Sequence, residues 1–165
     1  MFIEMKVAGI VLDPYTNVPI VVLRDLEEKT TVPIWIGLVE ASAIAMELEK
    51  IKIHRPLTHD LMKNILSELD AKVMKIEVVD LKDNTYFALI HVNAGDAVKT
   101  IDARPSDAIA LALRTESPIF VSDEVIEKSK SVENAKDMNF TEENRDKWTE
   151  ILENLNPDDF GKYKM

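Results

Sequence analysis

Residues 101–114 read Ile101-Asp102-Ala103-Arg104-Pro105-Ser106-Asp107-Ala108-Ile109-Ala110-Leu111-Ala112-Leu113-Arg114, and their reading decides the class of the fold. Ala97 to Ile101, just after Gly95, forms a strand by composition. Pro105 and Ser106 then open a helix over Asp107 to Arg114: proline at a first helical position lacks only an N–H that would have no partner, and its φ is already helical. The run Ala108 to Leu113 has no polar side, so burial on most faces is expected and the helix is read as central. A strand running straight into a buried helix puts sheet and helices around one core.

The rest of the chain fills in that core. Phe2 to Leu12 and Val18 to Leu23 read as a hairpin across the turn residues Asp13 to Asn17, and Thr31 to Ile36 as a third strand ended by Gly37. From Val39 to Ile51, Ile44, Leu48 and Ile51 recur at helical spacing with Glu40, Glu47 and Lys50 opposite, which predicts an amphipathic helix. Thr58 is read as the N-cap of a second helix carrying Leu61, Met62, Ile65, Leu66 and Leu69. Val73 to Leu81 and Tyr86 to Val92 flank Lys82-Asp83-Asn84 as a second hairpin, and Pro118 to Val121 is a short buried strand. The expected fold is α+β: a mixed, mainly antiparallel sheet of hairpins packed with three main helices, plus a C-terminal helical segment. Residues 1–125 are assigned to the α/β domain and 126–165 to an acidic extension. Helical patches are expected at Asp123 to Lys128 and at Thr141 to Leu155, the latter with Trp148, Ile151, Leu152 and Leu155 on one side. Trp35 and Trp148 are read as core residues and not as platforms for stacked bases.

At 165 residues with 46% hydrophobic and 30% charged side chains, the chain can bury one sizeable core. It has no cysteine, no run approaching the ~20 apolar residues of a membrane span and no signal-peptide pattern, so a cytoplasmic location is expected. A net charge of −10 argues against coating nucleic acid by general electrostatics. Locally the balance reverses, since Lys50, Lys52, Arg55 and Lys63 stand against Asp60 alone within 50–63.

Two short stretches echo one another: Arg55-Pro-Leu-Thr58-His59-Asp60 and Arg104-Pro-Ser106-Asp107. Each puts Arg-Pro ahead of a hydroxyl residue and an aspartate at a helix start, where unpaired N–H groups and a partial positive charge favour an anion. Thr58, Ser106, Asp60 and Asp107 also suit plain helix capping, and Arg55 and Arg104 could simply pair with Asp60 or Asp102. His59 has the chemistry of a general base or metal ligand, with a carboxylate to orient it. The three histidines show no zinc spacing, whereas Asp60, Asp102 and Asp107, with Glu40, offer the oxygen ligands of a hard cation, Mg²⁺ or Mn²⁺. His91 falls in a strand and reads as structural. No GxGxxG, Walker A or GxSxG motif occurs.

The segments Pro33-Ile-Trp-Ile-Gly-Leu-Val-Glu40-Ala, Arg55-Pro-Leu-Thr-His-Asp-Leu61 and Ile101 to Arg114, followed by Pro118-Ile119, together resemble the bifunctional nuclease domain family over roughly residues 5 to 125. The resemblance implies a mixed α/β domain and nuclease activity on RNA and DNA, carried on Glu40, Arg55, Thr58, His59, Asp60, Asp102, Arg104, Ser106 and Asp107. Two readings follow. In one, a metal-assisted nuclease has Asp60, Asp102 and Asp107 on a divalent cation, His59 and Glu40 in the catalytic group, and Arg55, Thr58, Arg104 and Ser106 on the phosphate. In the other, the same helix starts form a non-catalytic regulatory module for a small anion, a nucleotide or a protein partner. DNA or RNA is the expected partner of the first, and the apolar helices raise the expectation of a homo-oligomer.

Overall fold

The computed structural model describes residues 1–131 and residue 150. The described chain runs β1 (Phe2–Leu12), β2 (Pro19–Asp25), β3 (Thr31–Trp35), α1 (Leu38–Leu48), α2 (Thr58–Glu68), β4 (Ala71–Lys82), β5 (Thr85–Ala94), β6 (Ala97–Ala103), α3 (Pro105–Thr115), β7 (Ile119–Ser122) and α4 (Asp123–Lys130). The strands make one sheet in the order β3-β2-β1-β7-β4-β5-β6. Short turns make β1-β2-β3 and β4-β5-β6 antiparallel meanders. The four residues of β7 join the two halves, antiparallel to β1 and parallel to β4. This is the expected α+β class.

The turns form for local reasons. Asp13 Oδ1 accepts the N–H groups of Tyr15 and Thr16, and Asn17 takes the left-handed conformation it tolerates. Asp83 and Asn84 both have positive φ, the geometry whose twist suits a two-residue hairpin. Two expected helix ends need correction. α1 stops at Leu48 because Lys50 turns left-handed, and the Ile51 N–H returns to the Met46 carbonyl, so Ile51 closes the helix instead of extending it. At α2, Thr58 is the first helical residue and Leu57 is the N-cap; the capping contact comes from Asp60, whose Oδ2 accepts the Leu57 N–H at 3.0 Å.

α3 is buried as its run of small and branched residues requires. Ala108, Ile109, Ala110, Leu111 and Ala112 are almost fully enclosed in one cluster with Ile44 of α1, Ile76 and Val78 of β4, Val121 of β7 and Val125 of α4. Each fully buried Ile or Leu side chain contributes about 1.5–3 kcal/mol, which makes α3 the anchor for the elements around it. α4 begins at Ser122, whose hydroxyl accepts the Val125 N–H, and puts Val125 and Ile126 into the core. Apart from residue 150, the patch expected over Thr141 to Leu155, Trp148 included, lies outside the described residues. Trp35 is only half buried; its Nε1 donates to Asp13 and it covers a second small cluster of Val11, Ile20 and Val22.

Candidate active site

The N-terminal turns of α1, α2 and α3 converge. Glu40 stands in the first turn of α1, His59 and Asp60 in that of α2 and Asp107 in that of α3, with Arg104 as the N-cap of α3. Packing of α3 against both α1 and α2 brings these turns together, although they lie up to 67 residues apart in sequence.

One chain of contacts links them. His59 Nε2 lies 2.9 Å from Asp107 Oδ1, and Arg104 grips the other oxygen, Oδ2, through Nε and Nη2, both at 2.8 Å. Arg104 Nη1 reaches Glu40 Oε1 at 3.0 Å. Asp107, and after it Glu40, push the Arg104 guanidinium pKa upward, so the cation is held in the site. His59 is 7% exposed. Facing a carboxylate, Nε2 is the donor nitrogen of the pair, and Nδ1 makes no hydrogen bond among the described residues. A Cβ at Gly37 would come within 2.2 Å of the Glu40 carboxylate, so a larger residue there would require the Glu40 side chain to move from its contact with Arg104.

A second contact set holds α2 in place. Arg114, 6% exposed, donates from Nε to Asp60 Oδ1 at 2.7 Å, from Nη1 to the Ala110 carbonyl and from Nη2 to the Ala43 carbonyl, each at 2.9 Å. Burial alone would raise the Asp60 carboxyl, but the Leu57 N–H and the Arg114 guanidinium outweigh it and hold Asp60 below the usual range. Asp60 is thereby a structural partner of α3, joined to neither Arg55 nor Arg104.

Asp102 goes elsewhere. In the β4-β5-β6 ladder, Ile76, Ile90 and Ile101 share one row and Glu77, Leu89 and Asp102 the next. Adjacent rows face opposite sides of a sheet, and Ile76 and Ile90 belong to the core side on which α3 packs. Asp102 therefore points away from Asp60 and Asp107. The three carboxylates expected to hold Mg²⁺ or Mn²⁺ are not gathered, and among the described residues no group of three or more His, Asp or Glu side chains is placed to hold a metal ion. These residues do not fit the expected metal centre.

Two clefts flank the network. One, of about 230 Å³, is bordered by Trp35, Gly37, Glu40, Tyr86, Arg104 and Ser106. Ser106 is 6% exposed, and its hydroxyl has no hydrogen-bond partner among the described residues. The other, of about 370 Å³, is bordered by the loop after α1 and the start of α2, with Lys52, His54, Arg55, Asp60 and Arg114 in its wall. Thr58 is exposed at the start of α2. His91 pairs with Glu77 at 2.7 Å on the Asp102 side of the sheet, away from this site. Arg114 is the residue that pattern reading missed. Its signal was a single charge closing a run of six apolar residues in a helix expected to be buried.

Comparison with known proteins gives this geometry a family. The bifunctional nuclease domain matches residues 21–134, well over half of the chain. The chain belongs to the bifunctional nuclease domain family. Uncharacterized proteins from two strains of Mycobacterium tuberculosis are 35% identical to it over 162 residues, covering 95% of this chain and 97% of theirs. Bifunctional nuclease 1 of Arabidopsis thaliana is 28% identical over 117 residues, covering 67% of this chain and 35% of that protein. Glu40, His59, Arg104, Asp107 and Arg114 all fall inside the matched region. No helix among the described residues is long and apolar enough to cross a membrane.

Proposed function

We propose that this protein hydrolyses phosphodiester bonds in RNA and DNA, with His59 as general base and Asp107 as the residue that orients it. The observation carrying this reading is the 2.9 Å contact between His59 Nε2 and an Asp107 carboxylate already held by Arg104. Nδ1 takes a proton from water as the water oxygen attacks phosphorus. The P–O bond to the leaving oxygen breaks, and that oxygen is protonated from solvent. Arg104 faces the growing negative charge, and the Ser106 hydroxyl supplies a hydrogen bond in the smaller cleft. A positioned base of this kind contributes about 10²–10⁴-fold to a rate. Membership of the family and the name of the Arabidopsis relative support a nucleic-acid substrate.

A specific observation favours a second reading. Glu40, Arg104, Asp107 and His59 are mutually paired, and so are Asp60 and Arg114, as in a module that binds a nucleotide or partner without turnover. Self-association belongs to either reading: Leu61 and Ile65 of α2 and Leu69 at its C-cap, four residues apart, are 52%, 48% and 71% exposed, a stripe that a second copy would cover.

The test is cleavage of labelled single- and double-stranded DNA and of RNA by purified protein, in Mg²⁺, Mn²⁺ or EDTA, beside His59→Ala and Asp102→Ala. The nuclease reading expects activity lost in the His59 variant and kept in the Asp102 variant. Binding without cleavage under every metal condition replaces it with the second reading.

A further inference from the structure

The larger cleft lies at the Arg114 end of α3, about 15 Å along that helix from Arg104 at 1.5 Å per residue. Lys52, His54 and Arg55 border it, and none makes a hydrogen bond or ion pair with another described residue. The two carboxylates in its wall are already neutralised, Glu47 by Lys50 at 3.0 Å and Asp60 by Arg114 at 2.7 Å. The wall is thus locally cationic in a chain of net charge −10. Charges more than about 8 Å away are largely screened at physiological salt, so this local balance decides what the cleft attracts. Two apolar side chains, Ile51 and Ile53, also border it at 44% and 37% exposure, outside the core. The volume, about 370 Å³, is at the small end of ligand pockets, which run from about 300 to 1,000 Å³.

We propose that this cleft binds a phosphate ester, with Lys52, His54 and Arg55 on the phosphate and Ile51 and Ile53 against its organic part. One nucleotide unit has this composition: a dianionic or bridging phosphate attached to a group with an apolar face. Choosing a nucleotide over other phosphate esters rests on the phosphodiester reading above; the phosphate site does not. The phosphate comes from one of two sources, a nucleotide within the bound strand or a free mononucleotide.

Calorimetric titration of the full chain with inorganic phosphate, adenosine 5′-monophosphate and a ten-nucleotide single strand tests the proposal without requiring turnover. The nucleotide is expected to bind saturably. The Lys52→Ala/Arg55→Ala double variant, altered only at exposed positions, is expected to lose at least about tenfold in affinity, the scale of hydrogen bonds to charged groups. Ile53→Ser is expected to weaken the nucleotide while leaving inorganic phosphate unchanged. A raised KM with unchanged kcat for strand cleavage by the double variant assigns the site to the strand; an unchanged KM with weakened mononucleotide binding assigns it to a free ligand. Absence of saturable nucleotide binding, or equal affinity in the double variant, overturns the proposal. Binding without cleavage keeps this site and removes only the His59 mechanism.

Discussion

Arg114 connects three elements with one guanidinium: Asp60 of α2, the Ala43 carbonyl of α1 and the Ala110 carbonyl of its own helix. Replacing it by Met keeps the volume but removes the side-chain donor from one carboxylate and two carbonyls. The expected loss is about 1–3 kcal/mol, the scale of hydrogen bonds to charged groups and below that of a fully buried pair because the Asp60 side chain is 37% exposed, read from chemical denaturation. Asp60 gives the same contact a pH signature. Its folded pKa is lowered, so its contribution is present above the unfolded value, near 3.9, and disappears as pH falls through the folded one. Acid unfolding followed below about pH 4 should be shallower in Asp60→Asn than in the unchanged protein. His59, Asp107 and Arg104 were each legible as candidates in the sequence, because helix-start chemistry marks them. Their partnership was not legible. Forty-eight residues separate His59 from Asp107, and only the packing of α2 on α3 shows that Arg104 grips Asp107 and Glu40 instead of Asp102.

α3 works as an anchor because its alanines are small. Ala108, Ala110 and Ala112 are at most 1% exposed, which lets α1, α2 and the sheet approach its axis. Ala110→Leu is expected to cost about 1–3 kcal/mol by overpacking, and its midpoint shift in denaturant should exceed that of a Leu at exposed Asn64. Across the sheet, Tyr86 of β5 donates to the Pro33 carbonyl of β3 at 2.8 Å, which ties the end of one meander to the other. Burial raises its phenol to about 12. With the folded value above the unfolded one, its contribution is complete below about pH 10 and is lost as pH rises toward 12, so Tyr86→Phe should flatten that alkaline arm of the stability curve. At this scale the hairpins, α3 and the start of α4 were readable from turn residues and periodicity. The end of α1 and the cap of α2 were not, because Lys50 in the left-handed region and the Asp60 contact to Leu57 carry no periodic signal. Nor could composition show β7 inserted between β1 and β4, since that pairing joins segments more than 110 residues apart.

Over the whole molecule, the net charge and the local charge of the larger cleft have opposite signs. The acidic total keeps general phosphate binding weak, while Lys52 and Arg55 put unpaired positive charge beside the larger cleft; Arg104, beside the smaller one, is a third cation but is paired with Glu40 and Asp107. A single strand engaging those three cations should show a log affinity against log salt slope of about −2, and fluorescence anisotropy at several salt concentrations would measure it. The steep slope of a broadly basic nucleic-acid coat is not expected. The α+β class expected from the strand-to-helix order of 101–114 is the class of the described structure. A one-residue step along β6 puts Asp102 on the other face of the sheet from Ile101, away from Asp60 and Asp107. The proposed hydrolysis rests on the His59–Asp107 pair. Its most direct test is the single-turnover cleavage rate of Asp107→Asn beside the unchanged protein, both first shown to be folded by thermal denaturation. A loss of about 100-fold or more at retained substrate affinity is expected; an equal rate would remove Asp107 from the catalytic step.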